Sequence, residues 1–241
     1  MPNAEGKLAY SQIAVDGHYR RLIPSKYPTI DIYEKFGSSE MQALAAKLET
    51  ITNPRLAAKS RITGGDISAD SSSPKLQHWN HAPFSYPMAE GTYFLPAPYS
   101  VLELASDERG ALAKAILRRE EFLSRTDEPV CGVDMRMITN KVSGSFVDLR
   151  GLPHETTQAA RRMLGQRLYE DGVDGVIFKI TDLSGSEFIS IFNGDCLVDK
   201  GVQGAHYRFR WDGQRIGRIY DFGNKRDIDR GEIIAVPMAA A

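Results

Sequence analysis

The stretch that most constrains the fold runs from Asp171 to Ile216. It reads D-G-V-D-G-V-I-F-K-I-T-D-L-S-G-S-E-F-I-S-I-F-N and then H-Y-R-F-R-W-D-G-Q-R-I. Its two apolar runs, residues 173–180 and 187–193, are short and bounded by turn residues, the pattern of buried strands. A third strand at 205–211 places Tyr207, Phe209 and Trp211 on one face, because side chains alternate along a strand. Asp212-Gly213 then signals a tight hairpin into a return strand at 214–220.

Upstream, helices and strands mix without strict alternation. A short strand at Tyr19–Ile23 is stopped by Pro24, and Lys26 to Tyr33 is an extended loop. Ser39 with Gln42 forms a capping box for a helix whose stripe is Met41, Leu44, Ala45 and Leu48. Asn53-Pro54 ends it. Residues 62–75 read as a Gly/Ser/Asp surface loop, and 78–98 as an irregular proline-rich stretch. A second helix spans 107–124, capped by Asp107 or Ser106, with Leu112, Ile116, Arg119 and Leu123 on one face. Cys131, Val133, Met135 and Met137 alternate in a strand at 129–138. A third helix, 155–170, turns Ala160, Met163, Leu164 and Leu168 inward and stops before Gly172. The expected architecture is α+β: one compact domain with a mixed sheet and flanking helices. Its bounds are drawn at 18–222, with a polar extension at 1–17 and a tail at 223–241.

Composition removes several function classes. The 241 residues carry a net charge of −1, so nothing electrostatic points to nucleic acid or an anionic membrane as partner. The two cysteines, Cys131 and Cys196, read as buried reduced thiols. No apolar run reaches the roughly 18 residues of a spanning helix, and the first 20 residues hold no apolar signal core. Cytoplasmic residence follows as the expectation, or delivery by a specialised secretion machine. His78 and His81 are three apart with no third ligand in view, so no metal is expected. Gly64-Gly65 lacks the residues of a phosphate loop, and no nucleophile elbow is present. Arg118, Arg119, Glu120 and Glu121 read as a solvated helix face.

Several pieces of the chain resemble, in order and spacing, the RES-domain family: R-L-I-P-S-K-Y-P-T-I (Arg21 to Ile30), T-N-P-R (Thr52 to Arg55), A-P-F (Ala82 to Phe84), D-M-R (Asp134 to Arg136), D-L-R-G-L (Asp148 to Leu152) and the stretch quoted first. The resemblance implies a compact α+β unit similar to ADP-ribosyltransferase-like toxins. It implies NAD as substrate or ligand, cleaved between nicotinamide and ribose by phosphorolysis or hydrolysis, or used to transfer ADP-ribose. It also implies a toxin held by an antitoxin of the Xre type.

That chemistry needs a carboxylate to steady the ribosyl cation and an arginine for the diphosphate. The resemblance places the family arginine on Arg21, beside Arg20. It places the family tyrosine on Glu103, or with a gap on Tyr93 or Phe94, and the catalytic glutamate on Lys114. The Tyr-x-Ser-x-Arg of the tail falls on Phe178, Ile180 and Asp182. A lysine replaces the acid and a branched hydrocarbon replaces the hydroxyl. Two expectations follow: Glu103 and Lys114 either form an ion pair across the pocket or stand as exposed charges of no special role, and Ile180 crowds the pocket. The reading is a degenerate NAD-consuming fold with weak or no turnover that acts through binding. Two alternatives stand beside it: an active enzyme using Glu103 as a relocated acid, and an antitoxin-like or structural partner that keeps only the fold's protein-binding faces.

Overall fold

The computed structural model describes residues 10–25, 83–84, 90–180, 183 and 185–234. The capped helix from Ser39, the loops at 26–33 and 62–75, T-N-P-R, Gly64-Gly65, His78, His81 and Asp182 lie outside the described residues.

The described strands are β1 (Gln12–Pro24), β2 (Leu102–Ala105), β3 (Cys131–Asp148), β4 (Gly175–Lys179), β5 (Glu187–Ile191), β6 (Val202–Trp211), β7 (Ile216–Asp221) and β8 (Arg226–Asp229). The helices are α1 (Glu108–Leu123), α2 (Gln158–Glu170) and the short α3 (Arg230–Ile233). One mixed sheet orders the strands β1-β2-β5-β4-β3-β6-β7-β8, and β1 pairs with β3 as well. Five strands therefore close into a ring, β1-β2-β5-β4-β3, while β6, β7 and β8 extend from β3. The α+β architecture with one mixed sheet and flanking helices is as expected.

Alternation explains the two cores. In β2, β4 and β5 one set of side chains (Leu102, Leu104, Ile177, Ile189, Ile191) joins Val15, Val142 and Phe146 in a cluster drawn from all five ring strands. The other set (Ala105, Val176, Phe178, Phe188) packs with Leu112, Ile116 and Leu168 of the helices. Tyr207, Phe209 and Trp211 are all buried on that side, as the tail pattern requires. Their polar ends are met: Tyr207 donates to Glu108 Oε1 at 2.5 Å, and Trp211 Nε1 donates to the Glu128 carbonyl at 3.2 Å. Among the described residues no helix is long and apolar enough to cross a membrane.

Four sequence readings need correction. First, the strand read at Tyr19–Ile23 runs from Gln12 to Pro24, and the sheet continues through β8. The alternation of Ile13 and Val15 with polar neighbours is a genuine strand signal, diluted by Ala14 and Gly17. Second, α2 turns Gly165 and Leu168 inward, while Met163 is 74% exposed. Gly165 lets the helix approach the chain at Phe94 so closely that an added Cβ would lie 2.0 Å from the Phe94 carbonyl oxygen. Third, Cys196 is buried but Cys131 is only half-buried. Fourth, Glu120 is no solvated charge. It accepts from the Ile216 amide at 2.8 Å and pairs with Arg230 at 3.0 Å, tying α1 to β7 and α3. Asp107 caps α1 as expected, accepting from Gly110 N at 2.7 Å.

Gly165→Ala is expected to cost at least about 1–3 kcal/mol, the usual range for overpacking, because the clash is with backbone. Denaturant midpoints of the two proteins measure it; equal midpoints would show that α2 can retreat.

Candidate functional site

A cavity of about 510 Å³ opens between the end of β1, β2 and α1. That size falls within the usual range for small-molecule sites. Its helical wall is Ala111, Lys114, Ala115, Arg118, Arg119 and Phe122. These positions recur at three- and four-residue steps, so α1 presents them as one stripe. Arg20, Arg21, Leu22, Ile23 and Pro24 come from β1, and Val101, Glu103 and Ala105 from the segment of β2.

Lys114 and Glu103 meet at its floor. Lys114 Nζ lies 2.8 Å from Glu103 Oε2, with the two side chains 19% and 5% exposed. Glu103 Oε1 accepts the Tyr93 amide at 3.3 Å. The ammonium also lies 5.3 Å from the Phe188 ring centroid and 5.8 Å from that of Phe178, within reach of a cation–π attraction. Tyr93 stacks on Phe178 at 5.1 Å, and the Arg161 guanidinium lies over the Tyr93 ring, 4.2 Å from its centroid. The ion pair thus rests on an aromatic floor.

Among the described residues basic side chains outnumber acidic ones. Arg20, Arg21, Lys114, Arg118, Arg119 and Arg125 line the cavity against Glu90, Glu103 and Glu121. All three acids are engaged: Arg125 pairs with Glu90, and with Glu121 Oε1 at 2.6 Å, while Lys114 holds Glu103. Among the described residues neither Arg21 nor Arg118 has an ion-pair partner, and the buried Arg21 Nε has no hydrogen-bond partner. Arg20 is anchored, donating from Nη1 to the Ser106 carbonyl at 2.8 Å.

Burial and the neighbouring cations both shift the ionisable groups of the cavity. Burial, then the charge of Arg118, lowers Arg21 to about 9, so it remains charged near neutrality. Burial pushes the Glu103 carboxyl up, but Lys114, Arg118 and the Tyr93 amide together hold it below the ordinary carboxylate range. Lys114 is also lowered, because burial and Arg118 outweigh its one carboxylate. A desolvated space with excess positive charge depresses acids and bases alike.

The sites expected from sequence separate into two groups. Arg20, Arg21, Glu103 and Lys114 share the cavity. Phe178 and Ile180 do not line it. Phe178 is buried beneath Lys114, and the half-buried Ile180 packs against the main core. Ile180 thus does not crowd the cavity. Arg118 is exposed, as read from sequence, and also lines the cavity. Its signal was present, since Lys114 and Arg118 are four apart on one helix face. The other motif residues have structural partners. Asp134 binds Arg208 through two hydrogen bonds of 2.6 and 2.9 Å, and Asp148 binds Arg150 at 2.7 Å. Among the described residues no group of three potential ligands could hold a metal.

Two comparisons bear on the chain. The RES domain profile matches residues 72–212. A protein of Sinorhizobium fredii (strain NBRC 101917 / NGR234), named "Uncharacterized protein y4oC", is 37% identical over 223 residues, covering 92% of this chain and 95% of that one.

Lys114→Met should destabilise the fold by about 3–5 kcal/mol, because it strands a buried carboxylate. Adding Glu103→Gln should recover most of that loss; if the double variant is no more stable, the pair is not what matters. The pH dependence has a fixed sign. Glu103 is depressed in the folded state, so its contribution is present above the ordinary glutamate value and lost as pH falls through the lower, folded value. Chemical denaturation of wild type between pH 6 and 3 should show this loss, and the double variant should lack that part of it.

Proposed function

Because the chain belongs to the RES-domain family, we propose that its cavity binds NAD, with Arg21 on the diphosphate, and that cleavage of the nicotinamide–ribose bond there is slow or absent. The observation that carries the reading is the Lys114–Glu103 pair at 2.8 Å, set in a cavity with excess positive charge.

The excess favours an anionic guest. Arginine suits a diphosphate because its planar fork can bind two oxygens at once. Departure of nicotinamide, in contrast, leaves positive charge on the ribose, and catalysis needs a net negative group there. An ion pair supplies almost none. The carboxylate attracts the cation while the ammonium beside it repels it by about 4 kcal/mol at 4 Å and an effective dielectric near 20. Forfeiting that much stabilisation corresponds to about a thousandfold in rate. A protein partner of the antitoxin kind belongs to the same proposal on the strength of the family alone.

A second reading has a specific observation in its favour. Glu103 lines the cavity and is held ionised, so it is itself a candidate acid for the ribosyl cation. The reaction separates the two readings: nicotinamide release from NAD, with and without phosphate, should be near background in the first and lost on Glu103→Gln in the second.

NAD is expected to raise the melting temperature, because a ligand that binds only the native state stabilises it. Arg21→Ala should weaken that binding by roughly 10- to 100-fold, the worth of a charge-assisted hydrogen bond. An unchanged affinity would remove Arg21 from the diphosphate.

A further inference from the structure

The group that disables one reaction is well placed for another. Lys114 is the cavity's only lysine among the described residues, and its amine has the two features that make a lysine nucleophilic. It is desolvated against the Phe178 and Phe188 rings, and a further cation, Arg118, lowers the cost of losing its proton. A base is already in contact, since Glu103 Oε2 lies 2.8 Å from Nζ. Two guanidinium groups without ion-pair partners among the described residues, Arg21 and Arg118, stand in the same cavity to hold a phosphate.

We propose that Lys114 forms an imine with the aldehyde of a phosphorylated aldose, either a free sugar phosphate or the terminal ribose of ADP-ribose. This rests on the reading of the cavity as a site for phosphate-bearing ligands, and extends it from the dinucleotide to the open-chain sugar.

The step balances without a further reagent. Glu103 takes a proton from the ammonium, and the freed lone pair of Nζ adds to the carbonyl carbon to give a carbinolamine. The carbon–oxygen bond then breaks. The oxygen leaves as water, taking the proton back from Glu103, and a protonated imine remains beside the carboxylate. The ion pair is kept throughout, with the iminium in place of the ammonium.

The test is reductive trapping. The full chain is incubated separately with ribose 5-phosphate, ADP-ribose and the neutral glycolaldehyde, each with cyanoborohydride, and the modified peptides are identified by mass spectrometry. Lys114 should be labelled at least tenfold above any other lysine by a phosphorylated sugar, and not by glycolaldehyde. Labelling by ADP-ribose alone would assign the nucleotide as source, and by both sugars the phosphate. Lys114→Arg keeps the ion pair but cannot form an imine, so it should fold and lose the label. Arg118→Ala should reduce labelling by the phosphorylated sugars severalfold. Label spread evenly over surface lysines, or unchanged in Lys114→Arg, overturns the proposal. The NAD melting shift is measured on the same preparation. A shift without Lys114 label sinks the imine alone, label without a shift sinks the NAD reading alone, and neither signal sinks both.

Discussion

The ladder between β1 and β3 is the constraint on which the rest of the molecule depends. It pairs thirteen consecutive residues of β1, from Gln12 opposite Val147 to Pro24 opposite Met135. Because β3 is 18 residues long, it also holds β4 at one end and β6 along the other. The free edge of β1 meets β2 at Arg20 and Ala105, which closes the ring. That closure delivers Arg20 and Arg21 to the side of α1 that carries Lys114 and Arg118. A slip of one residue in the ladder would turn every side chain of β1 to the opposite face and dismantle the cavity wall.

The electrostatics then follow from geometry. Three groups that titrate in different ranges, Glu103, Lys114 and Arg21, are all displaced downward. Burial is the main cause for Arg21 and Lys114, with Arg118 adding to it, whereas Glu103 is lowered by Lys114 and Arg118 against its burial. In the proposed reading the cavity suits an anion and is a poor place to generate a cation, because Glu103 is already matched by an ammonium, so the same residues set affinity against reactivity.

Much of this was legible in the chain. The aromatic tail, the cap at Asp107, the buried stripe of α1 and the meeting of Glu103 with Lys114 all depend on local pattern or on close elements. The errors concern information that only the closed ring supplies. Ile180 follows a strand signal, but nothing local says that it packs against the main core and not into the cavity. Glu120 sits in a run of four charges, and only the arrival of β7 and α3 turns it from a surface group into a bridge. Met163 was misjudged because the closest contact of α2 is made by Gly165, the residue without a side chain. Arg118 is exposed, as its charged run suggests, and its place on the cavity follows only from the docking of α1 beside β1.

The bridge at Glu120 has a consequence at a distance. Helix α1 is tied at its far end by Glu120 to Ile216 and Arg230, and near its start Arg109 donates to the carbonyl of Ile233 at 3.2 Å. Both fastenings come from the last stretch of the described chain, remote in sequence from every residue in the cavity. That stretch behaves as a brace behind a wall. Whatever loads or trims the carboxyl-terminal end, whether a fused tag, a proteolytic cut or a docked neighbour, would be transmitted along the helix to the amine and guanidinium groups it presents.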